Sequence, residues 1–301
     1  MKTTRIVLFS LLAATVLAGV ALYLVSSVGK GPANSFTLAP TRAATATQLD
    51  SDAAAVVRRL QSDGYPQTQA SVLGRLVHVT VYGQRTQVEK ALDDALTPGV
   101  FYLRPLECVG PPYKVATSAT SPPPSPSCDS SYLLSAKSLA VDTKTRKPTG
   151  AIVADPGLAN VASTRASNDT SSKTVLLATT PVSGLSQYRV VAGPAGLTGE
   201  DISSVTVSRS GALWNMDVSF DSDGSTRLDD LAEKQFHAYV AVDIDAKVVS
   251  ALLIEPASTY FTSFGGTVSF KMDLDSRAQA VSLADALTSP LAVPLKVASR
   301  A

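Results

Sequence analysis

The chain has 301 residues, 45% of them apolar and 17% charged, which excludes a disordered polyelectrolyte and suffices for one or two ordinary domains. With 26 basic against 25 acidic side chains the net charge is +1, so the global charge gives no reason to expect nucleic acid. Two cysteines exclude a four-cysteine zinc site, and a mixed site would need both cysteines and both histidines to converge.

The N-terminus predicts a membrane anchor. From Ile6 to Val28 there is no acidic or basic side chain, and the run exceeds the roughly 20 residues that a bilayer core needs. Lys2 and Arg5 precede it. A positive flank stays in the cytoplasm, so residues 1–5 form a cytoplasmic tip and the rest faces outside. The alternative is a cleaved secretory signal, although its apolar core usually runs only about 7–15 residues. Both readings place the remainder outside the cytosol. Bacterial lipidation is excluded, because no cysteine follows the segment.

Residues 29–47 are small and polar and read as a linker. Leu49, Ala53, Val56, Val57 and Leu60 then recur at helical spacing, with Asp50, Ser51 and Asp52 at the start and Gly64 just past the end. Val72 to Tyr82 alternates as one strand with a buried valine face. Thr86 and Glu89 are spaced as a capping box, which opens a helix through Val88, Leu92 and Leu96. Pro98-Gly99 stops it, and Val100 to Leu103 is the next strand. Helix, strand, helix, strand is half of a ferredoxin-like sandwich.

The pattern weakens from Val109 to Asn168. Ser121 to Ser127 (SPPPSPS) suits a polyproline-type loop, not a sheet interior. Cys108 and Cys128 bracket it, and in an oxidising compartment a disulfide is expected to close the loop. The other reading is two buried free thiols. A redox pair is not expected, because the C-x-x-C spacing is missing.

Regular patterning returns at Lys173. Strands are expected over Thr174 to Ala178 and Tyr188 to Val191, then from Val205 into a turn at Ser210-Gly211 and back over Ala212 to Phe220. Ser222 to Lys234 reads as a helix capped by Asp221 or Ser222, with Leu228 and Leu231 inward. Ala238 to Ile244 and Val248 to Ile254 are strands around Asp245-Ala246-Lys247. A short strand covers Thr267 to Phe270, and a last helix runs from about Asp275 to Leu287.

In this order the blocks resemble the first periplasmic domain of SecD, an accessory subunit of the Sec translocase. Val56 to Gly64 is similar to the start of that domain's base, and Phe101 to Pro105 (FYLRP) to a base strand ending in an aromatic, Arg and Pro. Leu197 to Ile202 (LTGEDI) resembles the entry to the head's sheet. Val218 to Asp230 resembles the family's strand, turn and helix, and Tyr239 to Ala251 (YVAVDIDAKVVSA) its hairpin. Asp275 to Leu295 resembles its closing helix and Leu-Pro tail. Leu252 stands where the family usually has Pro, and Thr-Val-Ser-Phe follows Gly265-Gly266 in place of Ile-Thr-Gly.

The resemblance implies an α+β fold: a ferredoxin-like base, a Pro-rich insertion and an inserted head, behind one N-terminal transmembrane helix. On this reading the base covers residues 48–106, the insertion 107–172, the head 173–282, and the closing helix end and tail 283–301. The chain stops where the family enters its later membrane helices, and Ile6 to Val28 holds no carboxylate for a proton path. The expectation is therefore a non-enzymatic, anchored extracytoplasmic accessory factor in protein export. Its partners would be Sec translocase subunits or secreted polypeptide, held at a sheet edge. The alternative is a cell-envelope binding module with no present link to Sec.

No catalytic residue, cofactor or metal site is expected. The sequence has no G-x-S-x-G elbow, P-loop or H-E-x-x-H helix. His78 lies on an alternating strand, and His237 begins another near Asp229-Asp230; both read as structural. Asp221-Ser-Asp223-Gly224 hints at calcium, but EF-hand positions six and twelve would hold Thr226 and Ala232, so a capped turn is expected. Asp243 and Asp245 read as acidic residues beside a turn, Trp214 as core, and Asn168-Asp-Thr170 as a bare glycosylation pattern.

Overall fold

The structure, a computed structural model, describes residues 31–114, 126–134, 152–183, 185, 187–255 and 258–300. The anchor expected over residues 6–28 and most of the Pro-rich loop lie outside these residues. The elements run β1 (Ala33–Pro40), α1 (Ala46–Ser62), β2 (Gln69–Leu73), β3 (Leu76–Tyr82), α2 (Arg85–Ala95) and β4 (Phe101–Gly110). There follow β5 (Val175–Thr179), β6 (Arg189–Ala192), β7 (Leu197–Thr198), β8 (Ile202–Ser210), β9 (Leu213–Phe220) and α3 (Ser222–Lys234). The last are β10 (Tyr239–Ile244), β11 (Lys247–Leu253), β12 (Thr267–Met272), α4 (Arg277–Thr288) and β13 (Leu295–Arg300). The protein is α+β, and it divides into two compact units, residues 1–96 with 293–301, and residues 97–292.

The first unit is a four-stranded antiparallel sheet in the order β13-β1-β3-β2, with α1 and α2. Five of its six elements run as β-α-β-β-α, and the sixth, β13, arrives from the far end of the chain. Phe36 and Leu38 on β1 and Val77, Val79 and Val81 on β3 are buried on one face, with Leu49, Val56 and Leu60 of α1. Apolar side chains at strand period two meet those at helical period 3.6, and their burial drives the unit's folding. Arg59 is also buried, and its Nη1 donates to the Ala95 carbonyl 2.8 Å away. A cation at the end of α2 complements that helix's terminal carbonyls. Asp52, 1% exposed, accepts from the Val293 amide at 3.1 Å and so fixes the entry to β13.

Five expectations need correction here. The first helix, expected to start at Asp50-Ser51-Asp52, begins at Ala46, where Thr45 caps it and the Gln48 side chain completes a capping box. The linker assigned to residues 29–47 contains β1, whose inward residues Asn34, Phe36 and Leu38 alternate with small polar ones. The single strand expected over Val72 to Tyr82 is a hairpin: Gly74 and Arg75 turn the chain, with Gly74 at φ 63°. The helix expected to open at Thr86 begins at Arg85, with Gln84 as a cap that makes no side-chain bond, and Glu89 pairs with Arg85. The tail assigned to residues 283–301 contains β13.

The second unit holds two sheets. In one, β4, β10, β11, β5 and β6 form a ring that the β10–β4 pairing closes, and the short β7 also pairs with β4. The β5–β11 seam is parallel and only two residue pairs long. The strand assigned to the base at Val100 to Leu103 belongs to this barrel, and it extends through Pro105 and an irregularity between Leu106 and Cys108 to Gly110. Leu106, Val109, Val175, Leu177, Val190, Ala192, Tyr239, Ala241 and Val248 form one cluster from all five strands, and they fill the interior as side chains do in small barrels.

The second sheet, β12-β9-β8, packs its apolar face with α3 and α4 against the other side of β4, β10 and β11. Trp214, Met216, Val218 and Phe220 point into that layer, as the alternation of β9 predicts. Asp221 caps α3, its carboxylate accepting from the Gly224 amide at 2.7 Å, so the calcium-like motif is a helix start. Gly99 combines φ 76° with a close approach: a Cβ there would lie 2.2 Å from the Ala286 carbonyl oxygen.

Candidate functional site

An open sheet edge lies in the first unit, at β2. This strand pairs with β3 on one side, and among the described residues no strand pairs with its other edge. Its backbone donors and acceptors on that side are therefore unclaimed, a template for a further strand. Gln69, Ala70, Ser71, Val72 and Leu73 carry no charge and include no proline, the usual devices that close an edge. Leu73 is 62% exposed.

A groove of about 610 Å³ lies between β2 and α1. Ala53, Ala54 and Val57 line it from the helix, and Ala70 and Val72 from the strand. Ala70 opposes Val79, and Val72 opposes Val77, so both share the sheet face that carries the buried valines. A strand added beside β2 would place alternate side chains on this face, over two alanines that leave room for them. Asp50 and Arg58 also line the groove. Gln69 and Ser71 complete its polar rim, and the other lining residues are small and apolar.

In the second unit the notable chemistry is buried. Arg104 on β4 is fully buried; its Nε donates to Asp243 Oδ2 at 3.0 Å and its Nη2 to Asp169 Oδ1 at 2.7 Å. The guanidinium also donates to the carbonyls of Thr170, Lys173 and Gly193, each at 3.1 Å. Tyr102 covers it, with the ring centroid 4.4 Å from Cζ. Two carboxylates thus share one cation, and Asp243 Oδ1 is buried without a donor. Burial, reinforced by the negative charge of Asp169, pushes the Asp243 carboxyl up to about 8.

Sequence reading missed this cluster. Asp243 and Asp245 looked alike beside a turn, yet only Asp245 sits in it, at φ 52°, where its carboxylate accepts from the Gly99 and Val100 amides. Asp243 pairs in register with Tyr102, and Arg104 with Ala241. One ion on each of two adjacent apolar strands was the available signal: FYLRPL on β4 and YVAVDI on β10.

Cys108 and Cys128 are bonded, with Cα atoms 6.1 Å apart. Cys108 packs with Leu158, Val161, Leu176 and Val191 on the outer face of the barrel. Closing a loop of this length contributes about 3 kcal/mol in the chain-entropy description. His78 Nδ1 lies 3.3 Å from Thr37 Oγ1, and His237 Nε2 lies 2.7 Å from the Ser258 carbonyl while its ring stacks on Phe236. Each histidine has a neutral partner.

No family model and no curated protein matches the chain. Solved structures do. A crystal structure of SecDF in a super-membrane-facing form superposes with a TM-score of 0.55 at 16% identity, covering 91% of this chain and 30% of that one. A structure of SecDF, described as a membrane component that enhances protein export, gives 0.52 at 15% identity, covering 88% of this chain and 98% of that one. The fold is that of a SecD-like periplasmic domain. The chain spans under a third of the longer SecDF and nearly all of the shorter structure. At this identity the likeness is one of fold, and function has to be argued from the site.

Proposed function

We propose that the protein is a non-enzymatic accessory factor of protein export, a ferredoxin-like base with an inserted head held outside the cell by the Ile6–Val28 helix, and that the base engages extended polypeptide along β2. The observation that carries this reading is the uncharged edge of β2, unpaired among the described residues, beside a groove floored by alanine and valine side chains. An extended chain is the form in which a polypeptide leaves a translocase. It presents free N–H and C=O groups at the strand repeat, so it can add to such an edge whatever its sequence. Each backbone hydrogen bond contributes about 1 kcal/mol net, so a short added strand binds weakly and releases readily. That suits a factor that must let its client go.

The fold likeness to SecDF supports the export assignment, since that protein is described as enhancing export. The uncharged run before Gly29 supports the anchor. The deciding experiment is affinity purification of the full chain from membranes in mild detergent. Recovery of translocase subunits and of secreted polypeptides in transit is expected. Recovery of envelope components alone, from cells active in export, would overturn the export assignment in favour of an envelope-binding module.

A further inference from the structure

The charge cluster of the second unit has a feature that structure alone does not require. A buried guanidinium is satisfied by one carboxylate and a few carbonyls; here it meets two carboxylates, with side-chain exposures of 3% for Asp169 and 0% for Asp243. Two ionised carboxylates on one buried cation leave a net negative charge out of water, which is costly. Asp243 Oδ1 has no donor, and the neighbouring Asp169 carboxylate can be only another acceptor unless one of the two carries a proton. The geometry therefore calls for a proton within the pair.

What the cluster holds is as informative. Residues 169–174 lead from a short 3-10 turn (Ala166–Asn168) into β5 without regular structure. Arg104 grips this strap through the Asp169 carboxylate and the Thr170 and Lys173 carbonyls. The Ser171 carbonyl, which accepts from the Ala195 amide at 2.7 Å, is a further anchor. Thr170 Oγ1 is buried without a partner, so the closed strap is not fully satisfied. β5, which the strap feeds, joins β11 at the two-pair seam of the barrel.

We propose that Arg104, Asp169 and Asp243 form a proton-operated latch that clamps the 169–174 strap to the barrel when the acid pair holds its proton and loosens it when the proton leaves. The charged and titratable groups facing Asp243 are Arg104 and Tyr102 from β4 and Asp169 from the strap, while β11 presents Val248 opposite it. Glu200 lies in the field of Tyr102. The sign follows from the proton. The folded Asp243 carboxyl titrates near 8 and the unfolded one near the usual Asp value, about 3.9. Its contribution to stability is fully present below the unfolded value, falls as pH rises between the two, and is lost above the folded one.

The latch is independent of the export assignment and is tested on the full chain alone. Hydrogen-exchange protection, corrected for intrinsic rates, is read at residues 170–174 and at the barrel strand β10 across pH 6 to about 9.5. Strap protection is expected to drop by up to about tenfold per pH unit as pH rises from 6 toward the Asp243 midpoint and to level off above it, while β10 keeps its protection. Asp243→Asn, neutral at every pH, should abolish the step. Asp169→Asn should move it to lower pH, because Asp243 then has the guanidinium to itself. If either variant fails to fold, the wild-type profile still decides. Unchanged strap protection across this range, or a step that survives in Asp243→Asn, would overturn the latch.

Discussion

The two edges of the four-stranded sheet are furnished differently. β13 carries Lys296 and Arg300, and Arg300 is tied to Glu89 of α2 at 3.3 Å. Its pairing with β1 is interrupted between Thr37 and Leu38. Charge and irregularity are the means by which edges are kept from pairing with strangers. β2 has neither, and it borders a groove instead of solvent alone. One sheet with a guarded edge and an unguarded one teaches that openness here is local: the guard is available to this fold and is absent at β2.

Four variants break or sharpen that contrast. The largest effect is expected from Leu38→Ala on central β1, where the side chain is fully buried; a loss of about 2–5 kcal/mol in urea unfolding of the first unit should abolish both edges together. Asp52→Ala should cost about 1–3 kcal/mol by leaving the Val293 amide without its acceptor. Its signature is selective: hydrogen exchange should rise in β13 and not in β2. Val72→Lys places a charge on the half-buried groove face of β2 and should weaken polypeptide binding about tenfold, with stability changed by no more than about 1 kcal/mol. Titration with an unfolded secreted polypeptide, followed by fluorescence anisotropy, reads this. The smallest change in stability, under about 1 kcal/mol, belongs to the double substitution Lys296→Val and Arg300→Val. It should nevertheless open the second edge, seen as self-association in sedimentation.

Much of this architecture was legible because apolar spacing is local. The helices around Val56 and Leu228, the β9 alternation through Trp214 and the Asp221 cap all follow from residues within a few positions of each other. What stayed hidden depends on distant partners. β1 shows only Phe36 and Leu38 as large apolar residues, and its neighbours β3 and β13 lie far off in sequence, β13 by more than 250 residues. Pro105 read as the end of a strand, because proline cannot donate to a ladder; here it accepts from Gly193 through its carbonyl and the strand runs on. The open edge of β2 was invisible for a related reason: sequence shows a strand, and only the sheet order shows that no strand of the described residues lies beside it. The SecD-like blocks supplied the fold before either of these could be seen.

The central claim, that β2 receives an extended chain, is tested most directly by site-specific photo-crosslinking in exporting cells. One crosslinker replaces Ser71, exposed on β2, and another replaces Ser299, exposed on β13. The account predicts adducts with secreted polypeptides from position 71 that vanish when export is blocked, and none from position 299. Equal labelling from both positions, or none from position 71, would contradict it.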